Sequence, residues 1–399
     1  MEKTVARILI VLYIFFAGWT GSFVFGRYFT IANILLLPIL VFLLYSWFKE
    51  RYSVKQLFRE DFFLLLLVLF VGVAALAHYN GHSLNYIVAY GFVFIAGFLL
   101  LKLFFLRYST HKLLLNTLSI AVIFHSLFIL VEFFSQTIFG IDIQEYMFKI
   151  FPHDAFYFGY PRCYGLTEEP TYVAHYLTTF VPLVFYHLHK TRLWIPVKIV
   201  IYTIVMVSFF LTFSTAGFAI AIIGAVLAVG LYTLTNISFL RKNWIWITLL
   251  LLVIFSMIFI VLTKDIPFIQ PLLQKFSQTE VGLDGSRLNR WATDFPYLLS
   301  HPILGVGPGF FASQGLTSSV NWYLFLAIEA GLLSLFSLFV FLGFYLFRVI
   351  KIDSPYRFVY LYGFLNTFIY LFTCSTFYHP YPWLLLIMFA VCVREVKTI

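Results

Sequence analysis

The stretch Phe62-Phe63-Leu64-Leu65-Leu66-Leu67-Val68-Leu69-Phe70-Val71 continues to Ala77 without one charged or amide side chain. A helix of this kind crosses most of a bilayer, which needs roughly 20 apolar residues. Similar runs recur along the 399-residue chain, of which 62% is hydrophobic and 11% charged. Soluble domains carry about 25% charged residues. The composition therefore predicts a protein whose surroundings are mostly lipid.

The apolar runs predict an all-α, polytopic membrane protein with about twelve transmembrane helices in a single transmembrane domain, residues 1–399. The predicted spans lie near residues 5–24, 29–48, 62–78, 86–106, 113–134, 170–187, 195–213, 216–235, 244–263, 320–347, 357–374 and 380–394. The first span is long and is followed by others, so we expect it to be retained rather than cleaved as a signal peptide.

The formal net charge of +9 would also suit a nucleic-acid-binding protein. The positions of the charges favour membrane topology instead, and no nucleic-acid partner is expected. If the N-terminus is cytoplasmic, most of the 26 Lys and Arg residues fall in cytoplasmic segments. The positive-inside rule therefore predicts that both termini are cytoplasmic.

Two long connections, residues 135–169 and 264–319, are extracytoplasmic in this topology, and about half of the 17 acidic residues lie in them. Long ordered loops are usually functional, whereas transporters keep their decisive charges in mid-membrane. The pattern predicts binding or chemistry at the outer face. The three cysteines show no metal or redox spacing, and neither a metal nor a cofactor is expected.

The second loop contains a predicted amphipathic helix. At 3.6 residues per turn one face is charged and the other is apolar; the charged face holds Arg287, Arg290 and Asp294, and the apolar face holds Leu288, Trp291, Phe295 and Leu298. Two guanidinium groups one turn apart suit a diphosphate, which they bind bidentately. The alternative is that these arginines only extend to lipid headgroups.

Three further features single out candidate residues. Gly305 and Gly307 lie in an alternating glycine segment that permits close approach of backbone amides to a ligand. Glu168 and Glu169 precede Pro170, where they serve either as helix caps or as a general base. Glu329 lies about two turns inside the tenth span, where it pairs with an arginine, binds a substrate hydroxyl or is protonated. His125 and Glu132, two turns apart on the fifth span, are interpreted as internal polar packing.

In their order and spacing these residues resemble the signature of the O-antigen ligase and polymerase superfamily. The resemblance rests on Arg287 with Trp291, His301 to Gly307, Asn321-Trp322-Tyr323-Leu324 and Glu329-Ala330-Gly331. Arg162 to Pro170 and Ser214 to Gly217 resemble two further blocks of that family. Ligases of lipid A usually have His before the Asn, where this chain has Val320, and many members have Arg where it has Thr215. The missing His favours the Wzy-type polysaccharide polymerase branch.

The resemblance implies a metal-independent, GT-C-like glycosyltransferase of the bacterial inner membrane with its active site on the outer face. Its partners would be undecaprenyl-diphosphate-linked oligosaccharide, membrane lipids and a chain-length regulator protein. Arg287, Arg290 and Arg162 would bind the diphosphate, and Glu169, Glu168 or Glu329 would be the base. Gly305, Gly307, Asn321 and Tyr323 would line the pocket. The alternatives are an O-antigen-type ligase and a non-enzymatic lipid-oligosaccharide flippase.

Overall fold

A computed structural model describes residues 2–23, 30–50, 57–147, 156–157, 160–236, 287–316, 319–375 and 377–398. Within these ranges the protein is helical apart from one short antiparallel pair, β1 (Phe156–Tyr157) with β2 (Tyr160–Pro161). This confirms the prediction of an all-helical, polytopic membrane protein. The predicted ninth span, residues 244–263, lies outside the described residues.

The helix bounds follow the apolar runs to within a few residues over most of the chain. The α-helices are α1 (Glu2–Phe16), α2 (Ile31–Glu50), α3 (Phe62–Ala77), α4 (Ser83–Gly91), α5 (Leu101–Tyr108), α6 (His111–Ile138), α7 (Pro170–Lys190), α8 (Ile195–Leu211), α9 (Thr215–Thr235), α10 (Arg287–Ser300), α11 (Phe310–Ser313), α12 (Trp322–Lys351), α13 (Arg357–Tyr370) and α14 (Pro380–Thr398). A π-helix, Phe92–Leu100, joins α4 to α5, and 3-10 helices occupy Arg59–Asp61 and Ile143–Tyr146.

Six of the described helical segments are long and apolar enough to cross a membrane: Ile31–Lys49, Arg59–Ala77, Ser83–Tyr108, His111–Ile138, Thr215–Thr235 and Trp322–Lys351. Each coincides with a predicted span. The helix Ile195–Leu211 is apolar but shorter. The total of about twelve spans remains a prediction, because it also counts helices below these limits and the ninth span.

The last helix, α14, lies in the centre of the protein. Every side chain from His379 to Val393 is buried, and α14 packs against α5, α6, α7, α13 and the π-helix. A helix that is apolar around its whole circumference is expected in such a position. The segment that leads into α14 is therefore held between several elements.

A buried cluster of charges joins α5 and α12 to the start of α3. Lys102 contacts both Asp61 (2.5 Å) and the Tyr345 hydroxyl (2.7 Å) and has no exposed surface. Arg348 pairs with Glu60 next to it. Removing one partner of a buried ion pair costs about 3–5 kcal/mol, so this cluster fixes the ends of three segments. Lys102 therefore does more than orient the chain in the membrane.

Candidate active site

Two side chains of α6 hold the loop that precedes α7. The Glu132 carboxylate accepts hydrogen bonds from the amides of Gly165 (2.7 Å) and Tyr164 (3.3 Å). The amide of Leu166 donates to His125 Nε2 (3.2 Å). The interpretation of His125 and Glu132 as internal polar packing is confirmed. Their bonds satisfy backbone groups that would otherwise be buried without partners.

The same loop rests on Gly21, in the turn that follows α1. The amide of Gly21 donates to the carbonyl of Leu166 (3.1 Å). A Cβ at Gly21 would lie 2.2 Å from the carbonyl carbon of Thr167, so only glycine allows this approach. The loop is thus supported by the turn after α1 and by α6 immediately before it reaches Glu168 and Glu169.

Glu169 occupies the N-cap position of α7, and Pro170 lies in the first turn as predicted. The carboxylate of Glu169 makes no capping hydrogen bond, so the interpretation of this side chain as a helix cap is wrong. Glu168 and Glu169 are partly exposed and act electrostatically on Tyr172. Arg162, also partly exposed, follows β2 at the start of the loop.

Asn321 begins α12 by capping it. Its side-chain oxygen accepts hydrogen bonds from the amides of Tyr323 (3.0 Å) and Leu324 (3.2 Å), as Asn does at helix N-termini. The hydroxyl of Tyr323 donates to the carbonyl of Phe368 (2.7 Å). These contacts explain both residues structurally, and a role in binding substrate stays a prediction.

The helix α12 is broken at Gly331, where φ is 80° and ψ is 171°. Backbone groups released by the break pair with the glycine segment: Leu332 N donates to Pro302 O (2.8 Å), Val306 N to Ile328 O (2.8 Å) and Gly307 N to Glu329 O (3.1 Å). Irregular backbone at membrane depth is tolerated where protein covers it. The segment and the break therefore stabilise each other.

Close packing accounts for the positions of Gly305 and Gly307. A Cβ would lie 2.5 Å from the carbonyl oxygen of Ile328 at Gly305, and 2.1 Å from that of His78 at Gly307. Both glycines also have positive φ. Their amides donate to carbonyl groups of the protein itself. That these amides bind a ligand stays a prediction.

Glu329 is 1% exposed, two turns into α12. Among the described residues neither carboxylate oxygen has a hydrogen-bond partner, although the amides of Gly309 and Phe311 face it at less favourable geometry. Pairing with an arginine is therefore wrong for the described part of the chain. An unpaired buried charge is costly, which favours the protonated carboxyl and makes Glu329 a poor candidate for the base.

The helix α10 confirms the predicted helix, and the structure shows which of its side chains are buried. Phe295 is 48% exposed and Leu299 is 66% exposed, whereas Asp294 is 9% exposed. Asp294 faces the protein, where it accepts a hydrogen bond from the Ser319 hydroxyl. Trp291 and Leu298, also on the predicted apolar face, are partly buried, and Leu298 packs against the core. The side chains of Arg287 and Leu288 lie outside the described residues.

Burial raises the pKa of the Asp294 carboxyl, while the Ser319 hydrogen bond and the charge of Arg290 oppose this shift. Arg290 is one helical turn before Asp294, as the predicted charged face requires. The structure therefore places Arg290 beside a carboxylate that it helps to keep ionised.

A cluster that the sequence analysis missed lies between α7 and α14. The Tyr381 hydroxyl is 3.1 Å from His175 Nδ1 and 3.3 Å from His379 Nδ1. Burial lowers the pKa of His379 to about 3, so this imidazole is neutral. The segment His379-Pro380-Tyr381-Pro382, at the start of a predicted span, could have indicated it, because imidazoles at span ends are often functional.

The segment between α13 and α14 connects the candidate regions. The amide of Trp322, at the start of α12, donates to the carbonyl of Leu371 (2.9 Å). The hydroxyl of Tyr370 donates to the carbonyl of Thr171, at the start of α7 (2.7 Å). The N-terminal ends of α7 and α12 thus meet at this segment, which brings Glu168 and Glu169 to the same end of the protein as Asn321.

Residues 199–339 match the family model described as O-antigen ligase. The matched part includes α10, the glycine segment and the first part of α12, up to residue 339. No curated protein matches the chain. This part of the chain is thus similar to the O-antigen ligase family, and the apolar helices support an integral membrane protein.

Proposed function

We propose that this protein polymerises lipid-linked oligosaccharide repeat units at the outer face of a bacterial inner membrane. The observation that supports this most directly is the similarity of residues 199–339 to the O-antigen ligase family. That region contains Arg290, Asn321 and Glu329. The long loop before α7, with its two adjacent carboxylates, would complete the site from the other side.

In the proposed reaction, a sugar hydroxyl of one lipid-linked unit attacks the anomeric carbon of the growing chain. The new glycosidic bond forms as the bond to undecaprenyl diphosphate breaks, and the diphosphate leaves with the electron pair. A base takes the hydroxyl proton, which typically contributes 10²- to 10⁴-fold to a rate, as an order of magnitude. Cationic groups must stabilise the charge that develops on the diphosphate.

Glu169 and Glu168 suit the base better than Glu329, because they are partly exposed while Glu329 is buried. Arg287, Arg290 and Arg162 are the proposed diphosphate ligands, since guanidinium groups bind phosphate oxygens bidentately. Gly305, Gly307, Asn321 and Tyr323 would support the pocket behind them. No metal or cofactor is assigned a role.

A ligase is the second candidate, because the matched family is described as O-antigen ligase. Val320 stands where ligases of lipid A usually have His, and this favours the polymerase. A flippase is less favoured, because the residues proposed to bind the diphosphate lie in outer loops rather than along a central cavity. A chain-length regulator is a proposed partner of the polymerase.

Deletion of the gene separates the two enzymes. Loss of a polymerase should leave single repeat units still attached to the surface acceptor, because the ligase remains. Loss of a ligase should instead remove all surface glycan and accumulate lipid-linked polymer. The measurement is the length distribution of surface and lipid-linked glycans on gels, with the intact gene restored as the control. Unchanged glycans of full length in the deletion strain would contradict both enzymes.

A further inference from the structure

Tyr381 links two buried imidazoles at the outer end of α7. Its hydroxyl is within hydrogen-bond distance of Nδ1 of His175 (3.1 Å) and of His379 (3.3 Å), and 3.5 Å from the carbonyl oxygen of Tyr172. His175 has no exposed surface and His379 is 1% exposed. The ring of Tyr370 stacks on His175 with centroids 4.2 Å apart. The group is closely packed, so its partners limit where its protons can lie.

A phenol has one proton, so Tyr381 can donate to one neighbour only. The backbone of Thr367 faces His175, short of full hydrogen-bond geometry, which favours a proton on Nε2 of His175. Tyr381 then donates to His175 Nδ1 and accepts from His379 Nδ1. If Tyr381 instead donates to Tyr172, both imidazoles must donate from Nδ1. In both of these arrangements Nε2 of His379 has no proton and offers a lone pair, whereas Nε2 carries the proton if Tyr381 donates to Nδ1 of His379.

That lone pair has no partner among the described residues, although the atom is buried. The rings of Tyr172 and Tyr378 meet His379 edge-on, each with centroids 4.9 Å away. Both tyrosines are partly exposed, so they separate His379 from the surface, and a glycan hydroxyl reaches Nε2 only when one of these rings moves. Glu168 and Glu169 act electrostatically on Tyr172. Glu168 also acts electrostatically on Tyr381. A buried acceptor without a donor is unfavourable by about 1–3 kcal/mol.

We propose that Nε2 of His379 accepts a hydrogen bond from a hydroxyl group of the acceptor glycan, next to the hydroxyl that Glu168 or Glu169 deprotonates. His175 and Tyr381 are positioning residues that hold His379 in the required tautomer. A neutral imidazole suits this role, because its unprotonated nitrogen accepts a hydrogen bond from a hydroxyl group and the ring carries no charge. The inference rests on the proposed function, since it names the part of the substrate that the same site recognises.

Nitrogen NMR of histidine side chains tests the tautomer and the contact together. Full-length protein labelled with ¹⁵N-histidine is placed in lipid nanodiscs, and the His379 signals are assigned by their loss in His379→Gln. We expect an unprotonated Nε2 whose signal moves when lipid-linked repeat units, purified from the deletion strain, are added. Tyr381→Phe should shift the His379 signals before any addition. Tyr360→Phe is the matched control, because Tyr360 contacts His111 (2.8 Å) and should leave His379 unchanged.

Steady-state kinetics on the same samples distinguish a loss of substrate binding from a general loss of folded structure. Gln places an amide oxygen near the position of Nε2, whereas Leu provides no acceptor. His379→Leu should raise the KM for the repeat unit about two- to tenfold, the range of one neutral hydrogen bond, with kcat nearly unchanged. His379→Gln should stay close to wild type. Equal losses in both variants would overturn the proposal.

The outcomes also distinguish this inference from the proposed function. A protonated Nε2, or a His379 signal that ignores the repeat unit while the protein elongates glycan, would refute the inference and leave the function intact. In a second outcome, the protein neither polymerises nor ligates glycan while the His379 signal still moves on addition of the repeat unit. That result would refute the proposed function and leave the contact between His379 and the glycan intact. If the signal stays fixed and no transfer occurs, both fail.

Discussion

At the scale of the residue, Asp294 combines a carboxylate with surroundings that are largely closed to water. It is 9% exposed, and the hydroxyl of Ser319 and the charge of Arg290 only partly offset the cost of burial. The pKa of a carboxyl rises when burial disfavours its charged form. Ionised Asp294 therefore stabilises the fold less than a neutral side chain of the same shape would.

Asp294→Asn should match or exceed the wild type in unfolding temperature at pH 7. The folded protein raises the pKa of Asp294, so it binds a proton more readily than the unfolded chain does. The wild type therefore gains stability as the pH falls through the folded-state pKa, and the gain is complete below 3.8, the ordinary pKa of the group. The advantage of the variant should therefore shrink between pH 7 and pH 4. Tryptophan fluorescence of detergent-solubilised protein measures the unfolding temperature at each pH. The control is Asp353→Asn, because Asp353 is exposed. An advantage that grows on acidification would refute this account.

At the scale of the element, α12 is two helical pieces joined at Gly331. The break lets a loop pair with the backbone of a membrane-embedded helix, and it turns Glu329 toward the amides of Gly309 and Phe311. A Cβ at Gly331 would lie 1.9 Å from the carbonyl oxygen of Ile303. The break therefore depends on glycine for both its positive φ and its space.

Gly331→Ala should destabilise the protein strongly, because strained backbone alone costs about 1–3 kcal/mol and the loop must also move away. Gly343→Ala is the matched control in the same helix, where a Cβ meets nothing within 4 Å. We expect lower yield and a lower unfolding temperature for Gly331→Ala, and values near wild type for Gly343→Ala. Equal behaviour of the two variants would show that the break is not required.

At the scale of the whole molecule, the proposed site requires a defined orientation in the membrane. Gln314 lies in the loop between α10 and α12, and Lys351 lies at the opposite end of α12; both are exposed. The three native cysteines, Cys163, Cys374 and Cys392, are buried. Single exposed thiols can therefore report which end of the protein faces the outside.

In a cysteine-free background, Gln314→Cys should react with a membrane-impermeant thiol reagent in intact cells. Lys351→Cys should react only after lysis, because the predicted topology places it in the cytoplasm. Gel-shift labelling measures both, with matched protein levels. The opposite pattern would invert the topology and place the candidate site on the cytoplasmic side.

The sequence by itself determined the helical segments and the lipid surroundings. Spans such as α3, α6 and α9 are visible because each helix satisfies its own backbone and each apolar run is local. The position of Pro170 at the start of α7 and the shared face of His125 and Glu132 are equally local, since they follow from spacing along one helix.

Only the tertiary structure decided what each polar group meets. The burial of Asp294 depends on how α10 packs against α12. The burial of Glu329 depends on a loop that packs into a break at Gly331. The contact of His175 and His379 through Tyr381 joins residues about 200 positions apart, and no periodicity in a sequence encodes such a pairing. These contacts are long-range, so they depend on how the helices pack together.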